Sequence, residues 1–320
     1  MRSLVTGGAG FIGSHLVDLL VKKGHKVIVL DNFNTGRKSH LAHHSSRNVK
    51  ILKVDISKNK NLNKYFKKID YVFHLAGIAD IIPSIENPKK YFETNVVGTL
   101  NVVEAARKSK IKKFIYAASA SCYGYPEKFP TKENSKIEPM YPYSFSKWQG
   151  EELIMHWANV YNLPAISLRF FNAYGPRSRS SGTYGAVFGV FLAQKLAKKP
   201  LTIVGNGKQT RDFIYVKDLV EAILKAALSN KVKRIYNVAS GKEVSVNKIA
   251  RLIGGSKVNI PQRPGEPDRS CADLSKIKKE LKWKPKTKIE KGIKNVLQEI
   301  NYWKKAPVWT PKKIKKVTKS

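Results

Sequence analysis

The sequence predicts an α/β protein built on a doubly wound parallel sheet and followed by a smaller C-terminal α/β unit. Three observations carry this reading. Apolar strand-like runs alternate with helical patterns through the first half, a glycine-rich turn (TGGAGFIGSH) joins the first strand to the first helix, and the rhythm changes after Asn172. Repeated strand-then-helix units need crossovers, which put parallel strands into one sheet covered on both faces. In chain order, SLVTGG is the first strand and FIGSHLVDLLVKKG the first helix, and the strands KVIVLDN, VKILKVD and YVFHLAG follow. A helix is expected from about Pro88 to Lys108, then the strands KKFIYAAS and AISLRFFN. Beyond Asn172, AVFGVFLAQKLAKK and VKDLVEAILKAAL read as helices, and LTIVG and RIYNVAS as short strands among proline turns. The expected division is residues 1–172 for the sheet domain and 173–310 mainly for a unit closing over the sheet's carboxyl edge, with some chain returning to the first domain. Ligands of open α/β sheets bind at that edge. Residues 311–320 are expected as a basic, mobile tail.

Composition narrows the function. The 320 residues are 42% hydrophobic, enough for a sizeable core. No apolar run approaches the roughly 18 residues of a membrane helix, so no span is expected. MRSLVTGGAG enters a strand and a glycine turn without the apolar stretch of a signal peptide. Cys122 and Cys271 are too few for a disulfide framework or a metal cluster, so the expectation is a cytoplasmic protein that holds no metal. Lys and Arg number 60 against 23 Asp and Glu, a net charge of +37 that attracts polyanions. The lysines are scattered (KKGHK, SKNKNLNKYFKK, KKELKWKPKTK), not interleaved with aromatics in one module, so a basic surface is favoured over a nucleic-acid partner.

Two stretches carry chemistry. Gly7, Gly10 and Gly13 sit where the first strand meets the first helix, and such glycines let the backbone approach a pyrophosphate that then meets the helix's free N–H groups. The second strand ends in Asp31, 18 residues beyond Gly13, where a carboxylate accepts ribose hydroxyls and repels a 2′-phosphate. NAD is therefore expected over NADP, although Arg37 lies nearby. In YPYSFSK, only Tyr143 stands four residues before Lys147, on the same helical face. A phenol with a pKa near ~10 is a poor base unless its phenolate is stabilised, and such a pair alone also arises by chance.

The series TGGAGFIGSH, VDIS, HLAG, TNVVGT, SASCYG, YSFSK, RFFNAYGP, TRDFIYVKD, RPGEP and ADLSK, in this order over nearly the whole chain, resembles the extended short-chain dehydrogenase/reductase family, the NAD-dependent nucleotide-sugar epimerases and dehydratases. The resemblance implies a Rossmann-type domain with these roles. Gly7, Gly10, Phe11 and Ile12 cradle the pyrophosphate; Asp31, Asn32, Thr35 and Gly36 hold the adenosine ribose; Asp55 and Ile56 frame the adenine. Leu75, Ala76, Gly77 and Asn95 line the cofactor groove, and Phe170 borders the nicotinamide. Tyr143 is the acid/base, Lys147 holds the nicotinamide ribose and lowers the Tyr143 pKa, and Ser119 bonds the sugar O4. On the substrate side the resemblance implies Ser121, Asn172, Ala186, Val204, Arg211, Arg263, Glu266 and Ser270, the arginines pairing with the diphosphate. It further implies a homodimer joined by a four-helix bundle of the helices around Pro88–Lys108 and Tyr143–Tyr161.

The shared first step of the family is oxidation at C4 to a 4-keto sugar. Dehydratases carry an Asp-Glu pair where this chain has Ala120 and Ser121, and decarboxylases a Glu at Ser121, so epimerisation is expected. Small Ser270 falls where hexose-only 4-epimerases have a tyrosine, leaving volume for a 2-acetamido group. The loop ADIIPSIENP lacks the arginine that glucuronate-acting epimerases carry near Ile82 or Pro83. A UDP-hexose or UDP-N-acetylhexosamine is the expected substrate. The rivals are UDP-glucuronate epimerisation, decarboxylation or 4,6-dehydration and, outside enzymes, an NAD-binding regulator or a polyanion-binding protein.

Overall fold

The computed structural model describes residues 1–59, 61–179, 187–261 and 267–317. The first half builds β1 (Arg2–Thr6), α1 (Phe11–Lys22), β2 (Lys26–Asp31), β3 (Val49–Lys53) and β4 (Tyr71–His74). After these come α2 (Ile81–Glu86), α3 (Pro88–Phe92), α4 (Gly98–Arg107), β5 (Lys113–Ser119), α5 (Pro142–Val160) and β6 (Ala165–Phe170). The second half adds β7 (Asn172–Tyr174), α6 (Val187–Leu196), β8 (Leu201–Val204), β9 (Thr210–Tyr215), α7 (Val216–Leu228) and β10 (Arg234–Val238). Last come β11 (Glu243–Ser245), α8 (Val246–Ile253), β12 (Lys257–Ile260), α9 (Ser275–Leu281), α10 (Ile289–Gln298) and α11 (Pro311–Val317).

Seven strands form one sheet in the order β10-β6-β5-β4-β1-β2-β3, and every neighbouring pair is parallel. The order reverses beside β1, which opens a crevice at the strands' carboxyl ends. Both faces are covered, which is why the strands read as unbroken apolar runs. On one face Leu16, Val17 and Leu20 of α1 share a core with Leu219, Val220 and Ile223 of α7; on the other, Val102, Val103 and Ala106 of α4 meet Ile154 and Ala158 of α5. Each fully buried Leu, Ile or Val among these contributes about 1.5–3 kcal/mol. The chain leaves the sheet at Phe171, since β6 ends at Phe170 and β7 opens a three-stranded sheet with β9 and β11. It returns through α7, α9 and the edge strand β10. The smaller unit has its own aromatic core, where the Tyr174 and Phe188 rings stack at 4.7 Å and Phe213 meets Phe188 edge-on at 5.4 Å.

Two stretches differ from expectation. The helix expected over 88–108 runs from Pro88 to Arg107 but widens into a π-helical turn at Glu93–Val97. Within that turn the Asn95 side-chain amide bonds Ile78 and Ser146, and its backbone carbonyl accepts from the Thr99 hydroxyl. The expected mobile tail is helical over Pro311–Val317, because Ile314 amid the lysines is buried in the aromatic core of the smaller unit.

Candidate active site

Backbone contact shapes the turn between β1 and α1. Gly7 has φ +69°, and a Cβ there would stand 2.8 Å from the Ala76 backbone; a Cβ on Gly13 would stand 2.1 Å from the Gly7 carbonyl oxygen. Helix α1 begins at Gly10 with no side chain capping it, so its first N–H groups face the groove beside the turn. At the end of β2, Asp31 Oδ2 accepts from the Ala9 N–H (2.9 Å) and Oδ1 from the Phe33 N–H (2.8 Å). Burial raises the Asp31 carboxyl above its ordinary value, and these two donors oppose the rise. Gly36 lies against it, where a Cβ would come 2.8 Å from the carboxylate. The Arg37 guanidinium sits 5.3 Å from the centre of the Tyr302 ring.

A groove of about 330 Å³ runs along this edge. Gly7, Gly10, Phe11 and Ile12 line one end, and Asp31, Asn32, Thr35 and Ile56 line the side. Leu75, Ala76, Gly77 and Phe170 lead to Ser119, Tyr143 and Lys147. Three residues assigned to the cofactor stand behind its wall. Asp55 accepts from Asn32 and Ser57, Gly36 makes room for Asp31, and buried Asn95 ties down the Ile78 backbone in both directions. A second cavity, about 490 Å³, lies between the sheet edge and the smaller unit and is lined by Ser121, Asn172, Val204, Arg211 and Ser270 among others. Ala186, Arg263 and Glu266 fall outside the described residues. The two spaces meet at Ser119, Tyr143, Phe170, Phe171 and Ala173.

At that junction the side chains come from adjacent elements. Ser119 ends β5, Ser121 follows in a 3₁₀ turn, and Tyr143 and Lys147 stand one turn apart on α5. Tyr143 Oη donates to Ser119 Oγ at 3.3 Å, and Ser119 and Ser121 share a hydrogen bond of 2.8 Å. Buried Tyr91 donates to the Ala79 carbonyl at 2.8 Å and sets its ring edge-on to Tyr143 at 6.4 Å. Burial holds the Tyr143 phenol above its ordinary value, although the Ser119 and Ser121 hydroxyls oppose this. The depression expected from Lys147 is thus not a property of the protein alone, because desolvation outweighs the serines. Lys147 is itself buried; its ammonium lies 4.3 Å from the centre of the Tyr116 ring and has no hydrogen-bond acceptor among the described residues. Burial lowers its pKa to about 7, opposed by Glu151, whose carboxylate is also gripped by Arg169 at 2.6 Å. An uncapped helix, a carboxylate at the strand end and a buried ammonium without an acceptor together fit a dinucleotide with its ribose at Lys147.

Ser178, Gln209 and Arg269 also line the larger cavity, and Thr94 the groove, none of them picked out from the sequence. Ser178 Oγ is buried without a hydrogen-bond partner among the described residues. The one local signal is adjacency to motifs: Ser178 follows RFFNAYGPR, and Arg269 precedes Ser270.

The family model described as GDP-mannose 4,6 dehydratase matches residues 4–296. The chain belongs to this family of short-chain dehydrogenase/reductase epimerases and dehydratases. Among curated relatives, a UDP-glucose 4-epimerase of Mycolicibacterium smegmatis is 34% identical over 93% of this chain and 98% of that one. UDP-glucuronic acid decarboxylase 2 of Arabidopsis thaliana is also 34% identical, over 94% of this chain and 68% of that one. Among solved structures, UDP-N-acetylglucosamine 4-epimerase from Methanobrevibacter ruminantium M1, in complex with UDP-N-acetylmuramic acid, superposes with a TM-score of 0.89 at 33% identity, covering 94% of this chain and 97% of that one. UDP-glucuronic acid 4-epimerase from Bacillus cereus, in complex with UDP-glucuronic acid and NAD, gives a TM-score of 0.87 at 31% identity, covering 94% and 99%.

Proposed function

We propose that the protein is an NAD-dependent 4-epimerase of a UDP-hexose or UDP-N-acetylhexosamine. The observation that carries this reading is the meeting of the two spaces at Ser119 and Tyr143: a dinucleotide in the groove and a sugar in the larger cavity would touch one another only there. When held in the groove by the residues named above, NAD would supply reversible hydride acceptance at the sugar's C4 and, oxidised, a positive charge near the phenol. The chain's own residues move and hold the proton. Ser119 Oγ receives the O4 hydroxyl in place of its present contact with Tyr143. Tyr143 takes the O4 proton as the C4–H bond breaks and gives it back when C4 is re-formed on its other face. Lys147 would hold the ribose hydroxyls, and its ammonium, one helical turn away, would stabilise the phenolate. Asp31 favours NAD over NADP, and the Arg37 guanidinium rests on Tyr302.

Ala120 and Ser121 stand in place of the acids that elimination or decarboxylation requires, which supports return of the keto sugar to an epimer. Ser270 on the cavity wall leaves space for a 2-acetamido group, and Asn172, Arg211 and, from the resemblance, Ala186, Arg263 and Glu266 serve the sugar-nucleotide. The protein acts in the cytoplasm as a dimer through the faces of α4 and α5, where Val160 and Tyr161 at the end of α5 are exposed. No helix is long and apolar enough to cross a membrane among the described residues.

Purified protein with NAD and a panel of UDP-glucose, UDP-N-acetylglucosamine and UDP-glucuronate, followed by NMR, is expected to interconvert C4 epimers. Carbon dioxide or a 4-keto-6-deoxy product would overturn the reading. Tyr143→Phe should lower turnover by about 10²–10⁴-fold, the usual contribution of a positioned acid/base, while NAD stays bound. Light scattering is expected to give twice the chain mass, and a single-chain mass would remove the dimer.

A further inference from the structure

Outside both cavities, on the outer side of α1, Asp18 gathers two histidines and an arginine. Its Oδ2 accepts from Arg177 Nη1 at 2.8 Å, while Oδ1 faces the Nε2 atoms of His43 at 2.9 Å and His44 at 2.7 Å. The two imidazole rings lie 4.1 Å apart, tilted by 42°. One ligand atom from each of Asp18, His43 and His44 lies within 4.8 Å of the others, and no other trio of His, Cys, Asp or Glu comes so close among the described residues. These side chains touch neither the groove nor the larger cavity, so the function proposed above gives them no work.

We propose that Asp18 Oδ1 and the Nε2 atoms of His43 and His44 bind a single divalent transition-metal ion such as Zn²⁺, Co²⁺ or Ni²⁺, with solvent completing its coordination. Two imidazoles that converge on one carboxylate oxygen must share it, whereas an ion between them uses all three donors. Asp18 Oδ1 stands 2.9 and 2.7 Å from the two nitrogens, and a tetrahedral ion with metal–ligand distances of about 2.0–2.2 Å holds its donors roughly 3.3–3.6 Å apart, so these two contacts need open by less than about 1 Å. Two nitrogens and one oxygen suit borderline metals and not Mg²⁺ or Ca²⁺, which demand more oxygens. Arg177 occupies the place of an outer partner: it grips the second carboxylate oxygen and turns the first toward the imidazoles, as the outer shell of metal sites does. His43 has half of its side chain exposed, so an ion can reach the trio from solvent. The ion would tie α1 to the loop before β3 and, through Arg177, to the segment after β7.

The test uses untagged, chelator-treated protein titrated with Co²⁺, read by ligand-field absorption, and with Zn²⁺, read by calorimetry, with Mg²⁺ as control. The expected result is one saturable equivalent of Co²⁺ or Zn²⁺, none of Mg²⁺, and a rise in Tm with Zn²⁺. His43→Ala or His44→Ala should each weaken binding by about tenfold or more, and both together should abolish it along with the rise in Tm. Epimerase turnover of exposed-site His43→Ala should equal the parent's, showing that the fold is intact. Absence of a saturable equivalent in the parent, or its persistence in the double variant, overturns the proposal.

Discussion

Lys147 shows how one side chain can sit unfavourably in the protein alone and favourably in its complex. A buried ammonium with no hydrogen-bond acceptor is costly, and Glu151 cannot relieve it fully because Arg169 shares the same carboxylate. In the folded protein its pKa is about 7 against an ordinary 10.5, so between these values the unfolded chain binds more protons than the native one. Stability from this group therefore rises with pH through that window, and its penalty is largest below it. Lys147→Met, compared with the parent by urea unfolding without NAD, is expected to be more stable at pH 7 and to lose most of that advantage by pH 10. Comparing the two proteins cancels the titration of the other lysines. An advantage equal at both pH values would show that Lys147 is not desolvated. The residue scale is also where the sequence was most informative about the site, since its motifs pick out Ser119, Tyr143 and Lys147, which line the groove together, the first two where it meets the larger cavity. For Asn95 the motif alone leaves open whether the side chain touches a ligand or holds the wall, and its side-chain amide bonds Ile78 and Ser146.

At the scale of elements, the turn from β1 to α1 is the most constrained. Gly13 lacks space for a Cβ because the obstacle, the Gly7 carbonyl, is backbone and cannot rotate aside. Gly24, just after the same helix, has nothing within 4 Å of such a Cβ and only a positive φ to satisfy. Gly13→Ala should therefore lower stability by about 1–3 kcal/mol, as overpacking does, and NAD affinity by more than tenfold. Gly24→Ala should cost about 1–2 kcal/mol, the strain of a side chain at positive φ, and leave NAD affinity unchanged. Thermal unfolding and an NAD titration check both, and equal effects would show that close approach does not set the turn. The strands of the large sheet were legible because burial on both faces leaves unbroken Val, Ile and Leu. The π-helical turn at Glu93–Val97 was not, and the Asn95 bonds that accompany it reach residues 17 and 51 positions away. Helix α11 was hidden by its lysines, since one apolar residue, Ile314, supplies the anchor amid charges that read as a solvated tail.

For the whole molecule, the charge of +37 finds its natural counterpart in the proposed substrate, whose diphosphate is anionic. A net field of this sign raises the local concentration of a small anion at the mouth of a cleft, and salt screens it beyond a Debye length of about 8 Å at physiological ionic strength. Groups inside the cleft behave differently, because Arg211 on the cavity wall is partly shielded from solvent. Raising the salt should therefore act on capture of the substrate and not on chemistry at Tyr143. As NaCl rises from about 0.02 to 0.5 M, kcat/KM is expected to fall by about tenfold, the low end of electrostatic steering, while kcat stays within about twofold. The dependence should be reproduced by any salt of the same ionic strength, which separates screening from competition by a particular anion. A flat kcat/KM would leave the basic excess without a role in catalysis. A matching fall in kcat would place the effect on the catalytic side chains themselves, against the separation of surface field and buried site.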